Sequence, residues 1–148
     1  MSDANAQKVM DKVRTLYKEA PEGLCDRLSQ LIGSSEIAYL NVRRSDEDRT
    51  MRVVVFTRSA VLVQTFIMDG SRLDLTLKGW PRRRIDHVDF SASMAVNATA
   101  ETGRYEVSPT ANATAFVYYK NRELITLLTN STNPSMELVT FLPSLLAD

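Results

Sequence analysis

Apolar residues recur every three to four positions over the first part of the chain and every two positions over most of the rest. Val9, Val13, Leu16 and Ala20 share one helical face, with Met10 and Tyr17 beside them and Lys8, Asp11, Lys12, Arg14 and Lys18 opposite. Pro21 suits the first turn of a second helix, which would carry Leu24, Leu28, Leu31 and Ile32 on one face, and Gly33 supplies a left-handed stop. Residues 1–33 are therefore predicted to form a helical hairpin packed on the rest of the same domain, because its apolar stripe must be covered by the sheet or by a second copy of the chain.

From Glu36 the period changes to two. The runs EIAYLNVRR, TMRVVVFTR and AVLVQTFIM are rich in the β-branched and aromatic residues that strands favour, and SDEDR is a polar turn between the first two. Asp69–Gly70 is a hairpin signal. RLDLTLK then alternates, with Leu73, Leu75 and Leu77 inward and Arg72, Asp74, Thr76 and Lys78 outward. Gly79 to Pro81 is read as a turn. RRIDHVDFS resumes as a strand whose Ile85 is out of phase with Val88 and Phe90, which predicts a bulge near Asp86–His87. SMAVNATA, ATAFVYYK and RELITLLT follow, with a tight turn at Lys120–Asn121.

The fold class is thus α+β in one domain, residues 1–148. An antiparallel meander of about eight strands over residues 36–129 forms a curved sheet or partly open barrel, and a helix over residues 133–147 closes it. In that helix Asn133 is the expected N-cap and Pro134 the first helical residue. Met136, Val139, Leu142 (or Phe141) and Leu146 are expected on its buried face, and Pro143 is expected to bend or shorten it. Val53, Val55, Leu73, Leu75, Leu77, Leu127 and Leu138 are the predicted core, with a cost of about 2–5 kcal/mol for Leu75→Ala.

Composition narrows the chemistry. The single cysteine, Cys25, permits no internal disulfide, and its place beside Leu24 and Leu28 makes it an apolar filler. One histidine excludes a metal site built from several His or Cys ligands, and five scattered glycines make no phosphate loop, so no metal and no cofactor is implied. The opening residues carry charges where a signal peptide needs an apolar run. No apolar stretch reaches the roughly 18 residues of a membrane span, so a cytoplasmic location is expected. Net charge is zero, yet residues 43–84 hold ten basic and five acidic side chains.

Within that basic segment lies GWPRRRIDHVDF, which holds the only Trp and the only His. Arginines beside an aromatic plate are enriched at binding hot spots. If the arginines begin a strand, Arg82 and Arg84 share one face and Arg83 takes the other. They would then contact an anionic partner, close internal salt bridges, or guard a sheet edge against aggregation. His87 has Asp86 and Asp89 on either side, and Asp89 would share its face, an arrangement that suits a general base. Net neutrality and the small number of free aromatics argue against nucleic acid.

The order of hairpins followed by a C-terminal amphipathic helix, with the ending ELITLLTNSTNPSMELVTFLPSLL, resembles the pleckstrin-homology superfold over residues 36–148. Lipid-binding members of that family place basic residues on the first hairpin. Arg43, Arg44, Arg49 and Arg52 match by position, with Asp46, Glu47 and Asp48 between them, so the resemblance implies a phosphoinositide or other anionic ligand as one partner. The functional expectation is a non-catalytic binding or adaptor module that contacts a protein or another anionic partner through Trp80, Arg82, Arg84, Arg43 and Arg52. Two alternatives stand beside it: a small-molecule carrier with an apolar pocket between sheet and helix, and an enzyme using His87.

Overall fold

A computed structural model of the chain describes residues 3–93, 96–98, 105–107 and 112–148. The described elements are α1 (Asp3–Leu16), α2 (Asp26–Ile32), β1 (Tyr39–Ser45), β2 (Thr50–Phe56), β3 (Ala60–Asp69), β4 (Arg72–Pro81), a 3-10 turn (Arg82–Arg84), β5 (Ile85–Ser93), β6 (Val96–Ala98), β7 (Tyr105–Val107), β8 (Asn112–Tyr119), β9 (Leu124–Leu128) and α3 (Ser135–Leu146). The α+β class holds. The single meander does not: among the described residues the strands form a four-stranded antiparallel sheet β1-β2-β3-β4, a three-stranded sheet β5-β8-β9 and a ribbon β6-β7, with no closed barrel. Of the predicted strand SMAVNATA, Met94, Ala95, Thr99 and Ala100 lie outside the described residues, as do Met1 and Ser2 of the first helix.

The four-stranded sheet is the middle layer. Alternate residues of β1–β3 face opposite ways, and both sides are covered. Leu40, Val42, Met51, Val53, Val55, Leu62 and Phe66 pack with Val9, Val13, Leu28 and Ile32 of the helical layer. Tyr39, Val54, Phe56, Val61 and Val63 pack with Val117, Ile125 and Leu127 of the second sheet and with Leu138, Phe141 and Leu145 of α3. This double burial is why VVVF and AVLV read as unbroken apolar runs rather than alternating ones.

Residues of α1 and α2 share a core with β1–β3, and α2 is shorter than the predicted helix. It starts at Asp26, so Pro21 lies before it, and Leu31 points outward while Leu28 and Ile32 are buried. Gly33 stops it with φ +59°. Cys25 is buried as filler, and burial, with the neighbouring Asp26 carboxylate second, pushes its thiol up to about 11.

Three further expectations change at β4 and α3. Gly79 is no turn; it lies in extended β4 opposite Leu62, where a Cβ would come within 2.7 Å of a Leu62 methyl, so glycine serves close approach. Leu73 and Leu77 are only partly buried and Leu75 is 41% exposed, because the helical layer covers β3 and leaves the outer strand uncovered. The 2–5 kcal/mol expected for Leu75→Ala therefore does not apply to the isolated chain. In α3 the buried face is Leu138, Phe141, Leu142 and Leu145; Met136, Val139 and Leu146 are exposed, and the helix continues through Pro143.

Asn133 is not a cap. Its side-chain amide accepts from Val42 N–H at 2.9 Å and donates to Val42 C=O at 2.6 Å, replacing a neighbouring strand at the edge of β1. Lys12 Nζ donates to Leu40 C=O at 2.7 Å on the same edge. The β1 edge is thus occupied by side chains and closed to further strand pairing.

Gln64 stands out in the helix-side core. It is fully buried among apolar side chains, and neither its amide nitrogen nor its oxygen has a hydrogen-bond partner among the described residues. An unpaired buried amide costs about 1–3 kcal/mol. Gln64→Met, which keeps the shape, is expected to raise the unfolding free energy by that amount in chemical denaturation. A loss of stability would show that the amide is satisfied in the folded protein.

Candidate functional site

The basic corner at Arg82–Arg84 is not one surface. The three arginines form a 3-10 turn rather than the start of a strand, so Arg82 and Arg84 do not share a face. Arg82 is 4% exposed. Its Nε donates to Asp148 Oδ2 at 2.7 Å, Nη1 to Thr57 C=O at 2.8 Å, and Nη2 to Ser144 Oγ at 2.8 Å and Ser144 C=O at 3.2 Å. Its guanidinium also lies 5.4 Å from the Phe141 ring centroid. These bonds tie the β2–β3 turn to the C-terminal end of α3, where a cation is favoured by the free carbonyls. Arg82 is a structural staple. Arg83 and Arg84 remain exposed, and Arg83 lines an open cleft with Arg58 and Asp148.

The arginines of the first hairpin also separate. Arg44 donates to Leu16 C=O and Asp46, and lies over the Tyr17 ring on the helical side of the sheet. Arg49, at the turn with φ +53°, sits 3.7 Å from Asp69. Arg43 and Arg52 face each other across β1 and β2, and alternation places both on the opposite side, away from α1. Four arginines matched by position therefore do not converge on one anion.

The structure instead brings Arg52 to Trp80. Beyond the part covered by β9, the sheet leaves a crevice of about 180 Å3 lined by Arg52, Val63, Thr65, Thr76, Lys78, Trp80, Glu123, Leu124 and Ile125. Arg52, Thr65, Thr76, Lys78 and Trp80 are alternate residues of adjacent strands, so the sheet alone aligns them. Trp80 is half-buried, its ring edge-on to Tyr119 at 5.5 Å. Lys78 Nζ is 3.4 Å from Glu123 Oε1 on the β8–β9 turn.

The electrostatics of the crevice are unbalanced. Burial holds the Arg52 guanidinium below the usual arginine value, the like charge of Arg43 adds to this, and Glu123 opposes it. Among the described residues neither Arg43 nor Arg52 has a carboxylate within ion-pair distance. The buried indole N–H of Trp80 has no acceptor among the described residues. Arg52 and Lys78 thus line a small space in which Glu123 is the only carboxylate among the described residues. Lys78 shares the parity of Trp80 and was readable as its neighbour; Glu123 comes from 45 residues further along and carries no sequence signal.

His87 does not form the predicted pair with Asp89. The register shifts between Ile85 and His87, the bulge expected there, and this brings Asp86 Oδ2 to 2.7 Å from His87 Nδ1. The imidazole is half-exposed and stacks on Tyr118 at 4.3 Å. It lines neither the crevice nor the larger groove.

That groove, about 850 Å3 and open, runs between α1, the start of β1 and α3, and carries Lys8, Asp11, Lys12 and Glu137 on its rims. Between sheet and α3 there is packed side chain: Tyr39 stacks on Phe141 at 5.0 Å, and Phe56 meets Phe141 at 4.9 Å. Among the described residues no group of three His, Cys, Asp or Glu is placed to hold a metal, and no helix is long and apolar enough to cross a membrane. No protein-family model, curated protein or solved structure matches the chain.

Proposed function

We propose that the chain is a non-catalytic binding module that takes an acidic side chain of a protein partner into the crevice between β2, β4 and the β8–β9 turn. The observation that carries this reading is Arg52, half-buried beside Arg43 with no carboxylate within ion-pair distance among the described residues, in a crevice that Trp80 also lines. A desolvated guanidinium gains most from a carboxylate, which accepts both of its parallel N–H bonds. At about 180 Å3 the crevice is smaller than the roughly 300–1,000 Å3 of small-molecule sites, and fits one side chain. Four strands, then three, then a closing helix also keep the element order behind the pleckstrin-homology resemblance, whose members include peptide binders; the β6-β7 ribbon departs from it.

An oligo-glutamate peptide carrying a fluorophore tests the reading by anisotropy. Binding is expected to weaken as salt rises, because charges at a surface are screened over about 8–10 Å. Arg52→Ala is expected to weaken it about tenfold or more, and Arg43→Ala by less, while Arg83→Ala and Arg84→Ala leave it unchanged. Binding lost with Arg83 and Arg84 instead would move the site to the 3-10 turn. Binding to phosphoinositide vesicles and not to the peptide would favour a lipid headgroup.

A further inference from the structure

The two edges of the four-stranded sheet are treated oppositely. The β1 edge is closed by Asn133 and Lys12. Along β4, the ten residues Arg72–Pro81, no described strand pairs on the outer side. The two-residue loop Gly70–Ser71 makes Asp69 and Arg72 a hydrogen-bonded pair, and Arg82 N–H still donates to Ser59 C=O at 2.9 Å. Even-numbered residues of β4 therefore bond to β3. The N–H and C=O groups of Leu73, Leu75, Leu77 and Gly79 point to the open edge. Leu75 is 41% exposed beside them.

We infer that this edge pairs with the β4 edge of a second copy of the chain, antiparallel, about a two-fold axis at Thr76. Charge complementarity selects both the occupant and the register. With Thr76 opposite Thr76 of the second copy, Asp74 faces Lys78 twice, Leu75 faces Leu77 twice, and Arg72 reaches Trp80. Centring on Leu75 would set Arg72 against Lys78, like charge on like. Centring on Leu77 sets Asp74 against Trp80 and leaves Lys78 opposite Thr76. A shift by one residue would put leucines opposite charged side chains on the wrong face. The in-chain pairs survive: Arg72 Nε lies 3.1 Å from Asp74, and Lys78 lies 3.4 Å from Glu123, so the pairing extends each into an alternating chain of charges. Mixed signs on an edge guard it poorly against a copy of itself, whereas a run of one sign would repel it. The result is one continuous eight-stranded sheet, and both Trp80 crevices open on the same face of it. This inference does not depend on what the crevice binds.

Sedimentation and chain mixing test it. The intact chain is expected to sediment with twice its monomer mass at concentrations on the order of 0.1 mM, a range in which weak pairings are populated. Asp74→Lys alone and Lys78→Asp alone are each expected to be monomeric, with circular dichroism unchanged. Mixing the two is expected to restore a dimer, since the side chains introduced by Asp74→Lys and Lys78→Asp then face each other at one end, and the native Lys78 of the first chain faces the native Asp74 of the second at the other. Thr76→Cys is expected to form an intermolecular disulfide with diamide, which takes up the two electrons and two protons. Opposed residues of this kind sit about 4.5 Å apart at Cα, within disulfide range; Cys25 is buried and does not compete. A monomeric wild type at that concentration, a dimer indifferent to both charge reversals, or a mixture that stays monomeric would overturn the proposal.

Discussion

Arg82→Ala is expected to lower the unfolding free energy by about 3–5 kcal/mol, the range for breaking a buried ion pair from one side. The side chains of Arg82 and Asp148 are 5% and 17% exposed, so little solvent is present to replace the lost partner. The substitution strands the Asp148 carboxylate, the Thr57 carbonyl and Ser144 together. It also removes the packing of the guanidinium over Phe141. Arg82→Lys is expected to recover only a fraction, because an ammonium cannot reach three partners in a planar fork. Arg84→Ala, by contrast, removes an exposed side chain and should change stability by less than about 0.5 kcal/mol. Urea denaturation of the three variants separates the two arginines. Equal small effects would mean that the staple is not formed.

Phe141→Ala is expected to cost about 3–5 kcal/mol by a different route. The ring lies 5.0 Å from Tyr39 and 4.9 Å from Phe56 by centroids, at the point where α3 meets the sheet. Removing it leaves a cavity that neither β1 nor β2 can close, since both are held on their other face by the helical layer. Because Arg82 rests on the same ring, the two losses should not add. A double-mutant cycle is expected to show a coupling of about 0.5–3 kcal/mol. Strict additivity would place Arg82 and Phe141 in separate units of the fold.

What the sequence made legible follows from period and sign. Strand alternation, the Asp69–Gly70 hairpin and the bulge at Asp86 were all local, and each is present. The helix α3 was misphased because it is apolar on almost every side: Met136, Leu138, Val139, Phe141, Leu142, Leu145 and Leu146 offer more than one stripe, and only the opposing sheet selects Leu138, Phe141, Leu142 and Leu145. Leu75 was misplaced because alternation gives the face of a strand but not whether another layer reaches it. Asn133 has the chemistry of a cap and was recruited by Val42, 91 residues away. The candidate site was half legible. Arg43, Arg52 and Trp80 were singled out, while their grouping depended on the order β1-β2-β3-β4. Arg82 was singled out for its charge and turned out to be internal, since no local pattern announces an ion pair with Asp148, 66 residues on.

Trp80 is the only tryptophan, so its indole N–H gives one resolved resonance in a proton–nitrogen spectrum. Titrating the protein with an oligo-glutamate peptide and following that resonance tests the crevice most directly. Trp80 lines the crevice, and its buried N–H has no acceptor among the described residues, so its resonance reports on the ring's surroundings. Occupation by a carboxylate beside Arg52 should shift it in proportion to peptide bound, and Arg52→Ala should abolish the shift while the resonance itself persists. An indole signal that stays fixed while the peptide binds elsewhere, or that shifts equally in Arg52→Ala, would contradict the assignment of this crevice as the binding site.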